Sequence, residues 1–129
     1  MMKDDVCPIF DVTTYFNRKW ILCILMDMFR GKTRFKEFKQ SNPTISNYIL
    51  SQTLKDMEEK DLIRKIRLDN TSQYQLTNKG LKVNRILYEM TVFSLSELEC
   101  SKLNEKRKNL LFEEYKKALC DDYHEKQNK

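Results

Sequence analysis

The sequence predicts a mainly α-helical fold with one small β-hairpin, on three observations. Glycine and proline number only two each among 129 residues. Tight turns are therefore scarce, which argues against an all-β sandwich and against a Gly-rich phosphate loop. Apolar residues recur at three and four positions in most segments, the helical period. Between Ile63 and Leu76 the period falls to two, as in strands. At this length one domain, residues 1–129, with a single small core is expected.

Taken in order, Cys7-Pro8 predicts a helix start, because Pro suits the first helical position and places Cys7 at the N-cap. That helix runs to about Phe16, and Asn17-Arg18 interrupts it. Lys19 to Phe29 predicts a buried helix, with Trp20, Ile21, Ile24, Leu25 and Met28 inward and Gly31 as its stop. Cys23, in the same apolar run, is expected in the core. Thr33 is the expected cap of a short helix, Arg34 to Gln40, with Phe35 and Phe38 inward, and Ser41-Asn42-Pro43 ends it. Ser46 caps the next helix, whose apolar side carries Leu50, Thr53, Leu54 and Met57, with Ile49 at the edge. Strands are expected at Ile63–Leu68 and Ser72–Leu76 around an Asp69-Asn70-Thr71 turn. Thr77 caps a long helix, Asn78 to about Glu99, with Val83, Leu87, Met90 and Ser94 near one side. A last helix covers Leu103 to about Tyr123, with Leu103, Leu110, Leu111, Tyr115, Ala118 and Leu119 inward, before a fraying tail at 124–129. A short helix, a turn and a capped helix with a hairpin behind them make a winged helix-turn-helix over residues 7–77, followed by helices over 78–123.

The formal charge is +5, and charged residues are 33% of the chain. Counting from Arg30 to Arg67 gives ten Lys or Arg against five Asp or Glu, so the excess sits in one segment. A basic patch attracts polyanions. The N-terminus has no signal-like apolar run, and WILCILM is far shorter than the roughly 20 residues that span a bilayer. A cytoplasmic protein with reduced cysteines and no membrane segment is expected. Cys7, Cys23, Cys100 and Cys120 form no C-x-x-C pair, which gives a zinc site no support. No cofactor is expected.

The helix from Ser46 to Lys60 carries the functional signal. Its outer face holds Asn47, Tyr48, Ser51, Gln52 and Lys55, with no acid until Asp56. A helix read into the major groove contacts bases with its first turns, where acids would repel phosphate. Gln and Asn can pair with adenine, and Lys can meet phosphate or guanine. The acids Asp56, Glu58, Glu59 and Asp61 fall where such a helix would leave the DNA. Arg64, Lys65 and Arg67 on the hairpin (residues 63–76) and Arg34, Lys36 and Lys39 on the preceding helix would hold backbone phosphates, contacts that position without specifying. The candidate DNA-binding set is therefore Arg34, Lys36, Ser46, Asn47, Tyr48, Ser51, Gln52, Lys55, Arg64, Lys65 and Arg67.

A family resemblance rests on these residues as a set. They are Cys7-Pro8, Lys19-Trp20 with ILCIL, Arg34-Phe35-Lys36-Glu37-Phe38, and Ile45-Ser46. Leu50-Ser51-Gln52-Thr53-Leu54, Met57 to Ile63, and Tyr74-Gln75-Leu76-Thr77 with Gly80 complete it. In that order the chain resembles HxlR-type winged-helix transcriptional regulators over roughly residues 7 to 99. The resemblance implies a homodimer joined through terminal helices, on pseudo-palindromic double-stranded promoter DNA. Repression is expected over activation, because occupying a promoter needs no polymerase contact. Some such regulators use the cysteine at the position of Cys7 to sense oxidants or electrophiles. A thiol at a helix N-terminus is also favoured as thiolate, so Cys7 is a possible redox sensor and an oxidant or small molecule a possible effector. Where the family commonly has a Gly pair before Lys-Trp, this chain has Asn17-Arg18. Asn tolerates the left-handed backbone that such a turn can require.

Other function classes compete less well. The one histidine, His124, lies in the tail, and adjacent carboxylates such as Glu58-Glu59 diverge on a helix, so no enzyme is expected. A helical protein-interaction adaptor without specific DNA binding is the alternative, using the apolar faces of the last two helices. Tyr15, Tyr88, Met90 and Phe93 are candidates either for a small-molecule cavity or for ordinary core and interface.

Overall fold

In the computed structural model, residues 6–98 and 104–121 are described. Helices α1 (Pro8–Tyr15), α2 (Lys19–Phe29), α3 (Phe35–Ser41) and α4 (Asn47–Glu59) precede the hairpin β1 (Ile63–Leu68) and β2 (Thr71–Leu76). Then come α5 (Asn78–Leu81), α6 (Asn84–Glu97), α7 (Glu105–Lys116) and a π-helical turn, Lys117–Asp121. Among the described residues no helix is long and apolar enough to cross a membrane.

One core joins the two halves. Ile21, Ile24 and Leu25 of α2 pack in a cluster with Phe38, Leu50, Leu54 and Met57 of the helix-turn-helix, and with Val83, Leu87 and Leu119 of the C-terminal helices. Each such side chain, fully buried, contributes about 1.5–3 kcal/mol through removal from water. Trp20 is half-buried at the edge of that cluster, with Lys19 Nζ 5.0 Å from its ring.

The α4 helix follows its sequence signals closely. The Ile49 amide donates to Ser46 Oγ at 3.0 Å, and Leu50, Thr53, Leu54 and Met57 are its buried residues. The Thr53 hydroxyl is satisfied by the Ile49 carbonyl at 2.7 Å, which lets it sit in the core. At the far end Asp61 takes φ 62°. The Leu62 amide then donates back to the Met57 carbonyl and the Asp61 amide to that of Glu58, each at 3.0 Å, a Schellman stop with an acid in the glycine position.

Several boundaries differ from expectation. Thr33 does not cap α3; Arg34 holds the N-cap position, and the Glu37 carboxylate takes the amides of Thr33 and Arg34 at 2.9 and 3.0 Å. Those two hydrogen bonds, Thr33's foremost, lower the Glu37 pKa. Thr33 instead gives its carbonyl to the Tyr74 amide at 2.8 Å, tying the hairpin to the α2–α3 loop. Thr71 belongs to β2 rather than to the turn, which closes on Asp69 at φ 52° and Asn70. Asn17 is not left-handed; extended backbone at Arg18 makes the turn.

The long helix expected from Asn78 is broken after Leu81, and α6 restarts at Asn84, which is fully buried with neither amide atom hydrogen-bonded. Gly80 explains the tight α5. A Cβ there would stand 2.1 Å from the Leu62 carbonyl oxygen, and the Thr77 hydroxyl contacts that same carbonyl at 3.1 Å. The expected helix start at Leu103 lies outside the described residues. Within α7, Leu110 is exposed rather than inward, while Leu119 in the following turn is buried.

Candidate nucleic-acid interface

The elements around α4 are fixed by short polar links. Lys39 Nζ donates to the carbonyls of Pro43 (3.2 Å) and Ile45, so it braces the α3–α4 turn. This corrects its expected role: a side chain spent on backbone carbonyls is not a free phosphate ligand. At the other end of α4, the Tyr15 hydroxyl and Lys79 Nζ both donate to the Lys60 carbonyl, at 2.8 and 3.0 Å. Asp56 accepts from Lys60 at 2.8 Å and pairs with Arg18 at 3.5 Å. The acid that marks the end of the basic stretch is thus neutralised within the molecule.

Between these anchors the start of α4 is open. Ser46, Asn47, Tyr48, Ser51 and Lys55 are exposed, Tyr48 by 70%, and Gln52 is half-exposed. Arg34 and Lys36 are exposed on the N-terminal side of α3. Arg64, Lys65 and Arg67 are exposed on β1, which pairs with β2 in the register Arg64 with Gln75, Lys65 with Tyr74 and Arg67 with Ser72. Strand alternation puts Lys65 and Arg67 on one face and Arg64 on the other. Lys65 Nζ lies 6.0 Å from the ring of buried Tyr74, whose phenol pKa is raised by burial. Among the described residues Arg34, Lys36, Lys55, Arg64 and Arg67 make no ion pair. A neutral-to-basic helix start flanked by unpaired cations suits a polyanion.

The cysteines sort differently from expectation. Cys7 is the N-cap of α1 as predicted, its Sγ accepting from the Phe10 amide at 3.3 Å. Cys23, expected in the core, is exposed. Helix α2 buries Ile21, Ile24, Leu25 and Met28, and Cys23 lies on the side facing a groove rather than on that face. Its thiol pKa is raised, first by desolvation and then by Asp27. The sequence offered no signal for this, since an apolar run does not say which flank meets a groove. The readings on Cys100 and on the Cys120 side chain fall outside what is described.

Of the four candidates for a small-molecule cavity, Met90 borders one, about 560 Å³ between α2, α6 and α7. Tyr15 sits against Lys60 and Lys79, and Phe93 is exposed. Asp27 also lines this cavity and was missed by sequence reasoning, because it reads as a polar break in an apolar run.

Comparison with known proteins adds the family. The transcriptional regulator YvaP of Bacillus subtilis, of the helix-turn-helix type, is 26% identical, over 81% of this chain and 100% of its own. A regulator of the same type from Methanothermobacter thermautotrophicus is 33% identical, over 67% and 70%. The reduced form of YodB from Bacillus subtilis superposes with a TM-score of 0.58 at 26% identity, over 78% of this chain and 100% of that one. YodB is also known in diamide-treated and quinone-bound forms. The HxlR-like helix-turn-helix family model matches residues 15–102, across α2 to α6 and the hairpin. By that match, the chain belongs to the HxlR-like helix-turn-helix family of transcriptional regulators.

Proposed function

We propose that the chain is a homodimeric repressor that places α4 in the major groove of promoter DNA and the hairpin on its backbone. One observation carries this reading: the exposed, acid-free start of α4, with Asn47, Tyr48, Ser51, Gln52 and Lys55 outward beside Arg64 and Arg67, which make no ion pair among the described residues. The chain then acts by binding, without catalysis, in the cytoplasm where its DNA is. Exposed apolar side chains on α1 (Ile9, Phe10) and α6 (Met90, Phe93) support a second copy as partner. Cys7, capping a helix with no buried residue of its own, is the proposed sensor, in line with the diamide-treated and quinone-bound forms of YodB.

The test is fluorescence anisotropy with DNA upstream of the chain's own gene, against scrambled DNA, over a salt series. Expected is a site preference and an affinity that falls steeply with salt. Gln52→Ala is expected to cost about 1–3 kcal/mol at the preferred site and to relax specificity. Arg67→Ala weakens all sequences alike and lowers the salt slope by about 1. Diamide weakens binding by the parent chain but not by Cys7→Ser. Equal affinity for both DNAs at every salt concentration would sink the specific-regulator reading, and no binding at low salt would favour an interaction adaptor.

A further inference from the structure

We propose that the groove between α2, α6 and α7 binds a small apolar amine, with the Asp27 carboxylate as the counter-charge at its floor. The groove holds about 560 Å³, within the roughly 300–1,000 Å³ usual for small-molecule sites. Its walls are mostly apolar: Leu22 and Met26 from α2, Leu87 and Leu95 from α6, and Leu111 from α7. Asp27 reaches this groove while only 5% exposed. Asn42 Nδ2 donates to its Oδ2 at 2.9 Å and is its one side-chain hydrogen-bond donor among the described residues.

A carboxylate withdrawn from water with one neutral donor is short of positive charge. Two cations stand near, Arg30, which lines the groove, and Lys32, and among the described residues neither donates to the Asp27 carboxylate. Arg30 is ion-paired with Glu114 and lies 5.4 Å from the Tyr115 ring. Burial is accordingly the leading influence on Asp27, raising its pKa against the lowering effects of Asn42, Arg30 and Lys32. Charge then selects the ligand class. An anion would meet the buried Asp27 carboxylate, and a neutral apolar molecule would leave Asp27 as it is. An amine supplies the missing charge while its apolar body covers the leucine and methionine walls.

The groove also has a route to α4. Asn42 is the C-cap of α3 and donates from the same Nδ2 to the Phe38 carbonyl at 2.9 Å, so Asp27 is tied to the turn that leads into the recognition helix. An effect of the amine on DNA affinity rests on the function proposed above. Binding to the groove does not.

The experiment titrates the DNA-free, full-length protein with naphthylmethylamine, using naphthalenemethanol as the uncharged analogue of similar shape. Expected is saturable binding of the amine, about tenfold tighter than the alcohol, the size of one charge-assisted hydrogen bond. Asp27→Asn should remove that preference and leave alcohol binding unchanged. Thr91→Trp, which fills the groove from α6, should weaken both probes and serves if the Asp27 variant fails to fold. In a chain with Cys7, Cys100 and Cys120 changed to Ser, bound amine should also slow alkylation of Cys23 on the groove wall. Equal affinity for the two probes, non-saturable uptake, or an alkylation rate at Cys23 that the amine leaves unchanged would each overturn the proposal. DNA plays no part in the titration, so failure here is distinct from failure of the regulator reading.

Discussion

Asp27 carries a cost that pH can reveal. Its pKa is raised by burial, and the groups facing it do not reverse that: Asn42, Arg30 and Lys32 pull the other way, and Cys23 and Tyr115 stand nearby. The folded chain therefore holds the Asp27 proton to higher pH than the unfolded chain. Stability from this residue is full below the ordinary carboxylate pKa of about 3.9 and is lost as pH rises through the raised folded value. Glu37 has the opposite sign: its pKa is lowered, so its contribution is present above the ordinary value and lost as pH falls. Asp27→Asn keeps an oxygen to accept from Asn42 and removes the charge. The difference in Tm between Asp27→Asn and the parent is expected to grow in the variant's favour as pH rises through that window. A difference that does not change with pH would refute it.

At the scale of elements, the end of α4 makes a sharper case than its start. Asp61 holds the left-handed position of the Schellman stop, where an L side chain costs about 1–2 kcal/mol and glycine little. Asp61→Gly is expected to stabilise the fold by about 0.5–1 kcal/mol after the added freedom of the unfolded chain is counted, read as a higher urea midpoint at unchanged slope. A lower midpoint would show that the Asp61 side chain contributes something the backbone geometry does not require. The same helix shows what was legible in sequence. Ser46, the spacing of Leu50, Leu54 and Met57, and the late acids each mark α4, and all agree. The hairpin was equally plain from its period. The break after Leu81 was not, because Lys82 and Val83 are ordinary helix residues; the Val83 amide there donates only three residues back, to the Gly80 carbonyl at 3.1 Å, a local tightening that composition does not mark. Asp27 and Cys23 escaped for a related reason: periodicity identifies a buried face but not the groove beside it.

At the scale of the whole molecule, the described residues leave apolar side chains exposed on two helices. Ile9 and Phe10 on α1 and Met90 and Phe93 on α6 are exposed, although α6 also buries Leu87 and Leu95. Helix α1 has no buried residue and is held near its end by Tyr15 and Phe16. Such a helix gains little from its own chain, so a second copy is the natural cover, in a two-fold arrangement that matches a palindromic site. Phe93 is 59% exposed, which allows a charge there without opening the core. Phe93→Asp is expected to convert the proposed dimer to monomer in sedimentation while Tm measured at low concentration changes little. Two linked half-site contacts bind far more tightly than one, by roughly 10²–10⁴ where geometry allows both. The monomer should therefore lose at least about tenfold in affinity for a full operator and little for an isolated half-site. If Phe93→Asp stayed dimeric with unchanged operator affinity, the second copy would have to sit elsewhere, and the apolar face of α6 would need a different occupant.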